Sequence, residues 1–138
     1  MKKLFASIIT ALIFSACSGI RVSEVEGLTG NEEVCIVNNT AVNNSFQAAY
    51  LNQVHALGIR TRIVNISNDP SCDIISTYTA DYDVDWRTYL RSANLKVYRA
   101  GNLVGEASYH AYRSYSRKET FTEKKIGDMV RELFPIRK

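Results

Sequence analysis

The sequence predicts an α+β fold: a two-layer sandwich in which a mixed, mostly antiparallel five-stranded sheet carries two helices on one face. Three observations predict it. Long runs of alternating apolar and polar residues fill positions 72–113, with the period of two that marks a strand wet on one side. Two other segments repeat apolar residues at spacings of three and four, the signature of an amphipathic helix. The chain after residue 16 is roughly 120 residues long, the size of one domain around one core.

The elements run in the order β-α-β-β-β-β-α. Val34, Cys35, Ile36 and Val37 form a compact apolar run between Glu32-Glu33 and Asn38-Asn39 and read as a buried strand. Phe46, Tyr50, Val54 and Leu57, with Ala49 beside them, form a helical stripe that Asn44 or Ser45 can cap and Gly58 can end. Residues 59–64 are a second strand, with Arg60 and Arg62 alternating against Ile59, Thr61 and Ile63. A turn over 65–71 holds Asn68-Asp69-Pro70.

The third strand puts Cys72, Ile74, Tyr78, Ala80, Tyr82, Val84 and Trp86 on one face, and Asp73, Thr77, Thr79, Asp81, Asp83 and Asp85 on the other, with Ile75 the exception. The fourth turns Tyr89, Ala93, Leu95 and Val97 inward, and the fifth Leu103, Gly105, Ala107, Tyr109 and Ala111. Both inward sets are odd-numbered, so the paired indices must sum to an even number. A three-residue loop at 100–102, with a sum of 202, meets that condition and sets Lys96 opposite Glu106. Thr120-x-x-Glu123 is a capping-box pattern, after which Ile126, Met129, Val130 and Leu133 share a helical face and Pro135 stops the helix.

The N-terminus has a different grammar. Lys2 and Lys3 precede an apolar run over 4–14, then Ser15, Ala16 and Cys17. The run is about 11 residues, short of the roughly 20 that span a bilayer. A basic start, a short apolar stretch and a small-residue exit describe a signal peptide. A cysteine directly after the small residues reads as a bacterial lipoprotein signal, cut before Cys17, whose thiol then carries lipid. The alternative is an ordinary secretory signal with a coincidental cysteine near the cleavage site. The expected organisation is a signal peptide over 1–16, a lipidated cysteine and tether over 17–31, and one periplasmic domain over 32–138. Ile20, Val22 and Val25 allow part of the tether to be an edge strand instead.

The chain has 17 basic and 14 acidic side chains. Without Lys2 and Lys3 the net falls from +3 to +1. That balance gives no case for a nucleic-acid partner, which needs a clustered basic face. Cys35 and Cys72 remain, in a compartment that oxidises thiols, and a bridge between them is expected. The alternative is two thiols buried as small hydrophobes. No Cys-x-x-Cys or Cys/His metal spacing is present.

Candidate chemistry is sparse. Asp81, Asp83 and Asp85 offer three carboxylates, but counting from Asp81 the glycine position of a calcium-binding loop is Trp86 and its glutamate position is Ser92. Ser92 falls opposite His110, and opposite Asp81 if the third and fourth strands pair through a four-residue loop. A flat sheet face has no means of excluding water from such a group. No catalytic residue, metal site or cofactor is therefore expected. Tyr98, Tyr112 and Tyr115, interleaved with Arg99, Arg113 and Arg117, have the composition of an interface, against the alternative of an ordinary β surface.

Three features together carry a family resemblance: the cysteine motif at Cys17, the run Thr79-Ala80-Asp81-Tyr82-Asp83-Val84-Asp85-Trp86 leading to Tyr89-Leu90, and Val104-Gly105-Glu106-Ala107-Ser108-Tyr109. The chain resembles a family of small uncharacterised lipoproteins of Gram-negative bacteria over residues 72–112 and the signal. The resemblance implies a two-layer periplasmic domain. By the sorting rule of such lipoproteins, Ser18 after the lipidated cysteine favours the outer membrane. The expected function is a non-enzymatic envelope accessory that binds another envelope protein. The alternatives are a lipid- or amphiphile-binding lipoprotein, or a small hydrolase or metal-dependent enzyme.

Overall fold

The structure is a computed structural model that describes residues 19–85, 87–111 and 120–136, without the side chains of 84–88 and 120–121. Its elements are β1 (Ile20–Ser23), β2 (Glu33–Val37), α1 (Asn44–Ala56), β3 (Arg60–Val64), β4 (Ile74–Asp85), β5 (Arg87–Arg99), β6 (Asn102–His110) and α2 (Thr120–Leu133). The strands form one six-stranded sheet in the order β1-β6-β5-β4-β2-β3. β2 is parallel to both β3 and β4, and the other pairings are antiparallel. The α+β class and both helices are as expected; the strand count is six rather than five.

The extra strand lies in the expected tether. Ile20 pairs with Tyr109 and Ser23 with Glu106. Beyond the strand, the Val25 N–H donates to Leu133 O at 2.8 Å and its side chain is buried. The Ser, Gly and Glu content of this segment suggests freedom, but Ile20, Val22 and Val25 supply enough apolar surface for an open sheet edge to capture it.

The parallel strands explain where the next segments run. From β2 the chain steps outward to β3, then back past β2 to β4. Right-handed crossovers in opposite directions must use opposite faces of the sheet. The first crossover is α1, packed on the core face. The second is the irregular segment 65–73, on the face away from the helices, where Cys72 packs with Cys35, Val37, Val64 and Ile75. Cys72 is therefore not on the Ile74 face that simple alternation assigned it.

The core lies between sheet and helices. Phe46, Tyr50 and Val54 from α1 and Ile126, Met129, Val130 and Leu133 from α2 meet Val34, Ile36, Ile74, Leu95, Val97 and Ala107. Asn43, one residue before the expected caps, caps α1 by accepting from the Ser45 N–H at 3.0 Å. Gly58 ends the helix with φ +81°. Tyr50 and Ser76 bury a 2.6 Å hydroxyl pair among these apolar groups. Tyr78 stacks near Phe46, and its hydroxyl accepts from the Asn39 backbone and Gln47 Nε2, both at 3.1 Å.

Two β-bulges correct the expected strand faces. The β5–β6 turn has two residues, Ala100 and Gly101, with φ +50° and +80°, the backbone of a type I′ hairpin. Arg99 pairs with Asn102 and Tyr98 with Leu103, which alone would expose the wrong face. Val104 is then an extra residue, and from Val97↔Gly105 onward the register is the expected one, including Lys96↔Glu106. The bulge leaves Leu103 outside, 51% exposed, rather than inward. The second bulge is at Arg91, between the pairs Asp81↔Ser92 and Tyr82↔Leu90. It turns Leu90 inward in place of the expected Tyr89.

Candidate functional site

The helix-free face of the sheet carries a built feature around the second crossover. Cys35, on the outer face of β2, and Cys72, at the end of the crossover, are joined as a disulfide with Cα atoms 6.1 Å apart. Cys35 is fully buried and Cys72 partly exposed. Arg62 lies over the pair from β3, since Cys35 and Arg62 are register partners. Its Nη2 is 3.6 Å from Cys35 Sγ and 3.4 Å from Cys72 Sγ.

Other groups hold that guanidinium in place. Nε donates to Glu33 Oε1 at 3.0 Å, and Nη2 donates to Ser71 Oγ at 3.0 Å. Ser71 is itself fixed, donating through its hydroxyl to Asp69 Oδ1 at 2.6 Å and through its N–H at 2.9 Å. Those two bonds, hydroxyl first, hold the Asp69 carboxyl below the usual carboxylate range, with Arg62 adding to them.

Beside the disulfide the crossover stands off the sheet and leaves a groove of about 620 Å³. Its floor is Ile75, Thr77 and Tyr98; Asp69, Cys72 and the Ala100-Gly101 turn are in its walls. A smaller hollow of about 320 Å³ shares Cys72, Asp73 and Ala100 with it and reaches Glu32 and Arg99. Arg99 Nη2 is 3.9 Å from Glu32 Oε1. Desolvation works to raise the Glu32 carboxyl, but hydrogen bonds from its own backbone, from the backbone and side chain of Thr29 and from the Gly30 backbone outweigh it and leave the pKa lowered. The groove mixes apolar floor, carboxylate and aromatic hydroxyl, and one sulfur of the disulfide belongs to a residue in its wall.

Tyr98 and Arg99 thus sit at the groove and its annex. Cys17, Tyr112, Arg113 and Tyr115 lie outside the described residues. Ser92 is brought to Asp81, its hydroxyl donating to Oδ2 at 3.3 Å, and pairs with His110 on the other side. The serine is in the middle of that row. A hydrolytic triad needs the histidine between serine and carboxylate, so the connectivity is wrong for one. Tyr89 OH donates to Asp83 Oδ2 at 3.5 Å. Among the described residues no three acidic, histidine or cysteine side chains group as a metal site would require, and no helix is long and apolar enough to cross a membrane. His55 is exposed and pairs its Nε2 with Thr61 Oγ1. Arg62 is the member of the site that sequence reasoning missed: its outward alternation is visible, but its neighbour Cys72 is reached only through the crossover.

No family model and no curated protein sequence matches the chain. Solved structures do. The chain is similar to a PelC dodecamer from Paraburkholderia phytofirmans, with a TM-score of 0.65 and 15% identity over 83% of this chain and 97% of that one. An L103M variant of the same dodecamer gives 0.57 and 12% over 80% and 91%. A minor lipoprotein from Acinetobacter baumannii gives 0.35 and 14% over 72% and 87%, too low a score to support an argument. The PelC likeness, spanning about four fifths of this chain and nearly all of the other, is one of fold.

Proposed function

We propose that this chain is a lipid-anchored accessory of the cell envelope, held by Cys17 at the periplasmic face of the outer membrane. It acts without catalysis, by binding another envelope protein through the helix-free sheet face that carries Tyr98. The order Lys2-Lys3, apolar run, Ser15-Ala16-Cys17 carries this reading. The joined Cys35 and Cys72 agree with an oxidising compartment.

Palmitate labelling tests the anchor. Wild type incorporates label and fractionates with outer membranes; Cys17→Ala loses the label and leaves that fraction. Equal labelling of both overturns the anchor. A photo-crosslinker at Tyr98, activated in intact cells, tests the surface. A discrete adduct with another envelope protein is expected, and adducts to lipid alone overturn the partner.

A second reading has its own support. The similar fold from Paraburkholderia phytofirmans is a dodecamer, and on that ground the partner is a further copy of this chain. Sedimentation of the detergent-solubilised protein then gives a closed multiple of the 15.5 kDa chain, less its signal. A monomer at all concentrations overturns this second reading.

A further inference from the structure

We propose that the Cys35–Cys72 bond is a thiol–disulfide exchange site, attacked at Cys72 from the groove and primed by Arg62. Three observations carry it, none of which the anchor reading uses. The two cysteines differ in access: Cys35 is fully buried, whereas Cys72 is partly exposed and lines both hollows. A guanidinium nitrogen lies 3.4–3.6 Å from both sulfurs. That guanidinium is held by Glu33 and Ser71 rather than left to wave in solvent.

These positions set the chemistry. An external thiolate entering the groove bonds to Cys72 Sγ and the Cys35–Cys72 bond breaks. Its electron pair leaves on Cys35 Sγ as a thiolate beside Arg62. An adjacent cation stabilises the departing thiolate and speeds exchange, offsetting the burial of Cys35 with Val64 and Ile75, which disfavours the charge. Glu33 and Asp69, the nearby carboxylates, work against that stabilisation: Glu33 accepts from Nε of the same guanidinium, and Asp69 acts through Ser71. The mixed disulfide on Cys72 is resolved by a second thiol of the same reductant. That thiol takes up the sulfur of the first and releases Cys72, so two electrons pass from an external dithiol to this chain. The co-reactant is thus a dithiol, and the groove accommodates a peptide-sized thiol carrier.

The test uses the full chain purified in detergent. Dithiothreitol and glutathione are the probes, and maleimide–polyethylene glycol scores the freed thiols. Arg62→Gln is expected to slow reduction of the folded protein roughly fivefold or more, and Arg62→Lys to restore most of the rate. In concentrated urea, where the site is dismantled, all three proteins should react alike. Circular dichroism before reduction shows whether each variant is folded. Mass spectrometry should place the glutathione adduct on Cys72. Folded-state rates within twofold of each other, a faster Arg62→Gln protein, or an adduct on Cys35 would each overturn the proposal.

Discussion

At the scale of single residues, the most demanding group is Tyr50. It is fully buried, and Ser76, also fully buried, meets its hydroxyl at 2.6 Å. Burial pushes the phenol well above its ordinary 10.0, and the Ser76 hydrogen bond pulls back only part of that. The sign is fixed by where the proton is lost more readily. The unfolded chain releases it near the ordinary value and the folded chain does not, so stability is complete below about pH 10 and falls above it. The slope from this one group approaches about 1.4 kcal/mol per pH unit. Tyr50→Phe should remove that part of the alkaline slope while costing about 1–3 kcal/mol at neutral pH, because Ser76 is left buried without its partner. Urea titrations of both proteins at pH 8 and pH 11 check this, and parallel losses between the two pH values would contradict it.

Elements meet most tightly where β6 passes under the N-terminal segment. A Cβ at Gly105 would run into Val25 Cγ2 and lie 3.1 Å from the Val25 backbone nitrogen and 3.2 Å from Leu133 Cδ1. The Val25 nitrogen is fixed by its bond to Leu133 O, so it has little room to retreat. Gly105→Ala should therefore destabilise the fold by about 1–3 kcal/mol, the cost of an overpacked methyl; urea midpoints would show it. The same junction explains what was readable in advance. The faces of α1 and α2 were legible because the period of 3.6 has no nearby competitor in their sequences. Strand faces were legible only as far as the first bulge, because one extra residue, Val104 or Arg91, reverses a period of two. So alternation puts Ala93, Leu95, Val97, Ala107 and Tyr109 on the face they occupy, and Leu103 and Tyr89 on the wrong one. The disulfide could be expected from the compartment that the N-terminus implies. The groove could not, since it exists only because the second crossover stands off the sheet.

For the whole molecule, the disulfide spans 37 positions and fastens the second crossover to β2, one strand in from the sheet edge. Closing a loop of that length removes unfolded-state entropy worth about 3–4 kcal/mol. The double variant Cys35→Ala, Cys72→Ala should lower Tm by roughly 10–20 °C. It should still fold, since Phe46, Tyr50, Ile126, Met129, Leu133 and Phe134 build the core on the other face of the sheet. Calorimetry would measure the shift, and an unchanged Tm would mean that the reduced chain retains the same restraint by packing.

The early capture of the chain into β1 also gives the molecule a direction. Only three peptide steps separate Cys17 from Ile20, at most about 11 Å when fully extended. With a lipid on Cys17, the Ile20 end of the sheet is pinned against the bilayer. That end of the sheet holds the row through Ile20, Tyr109, Ala93 and Ala80, and the acidic β4–β5 hairpin runs on past it on the same side. Ile75 and Tyr98, on the groove floor, lie five residues from that row along β4 and β5, about 17 Å from it at ordinary strand rise. Under the anchor proposed above, the groove would stand off from the lipid, and a thiol carrier would reach it from solution.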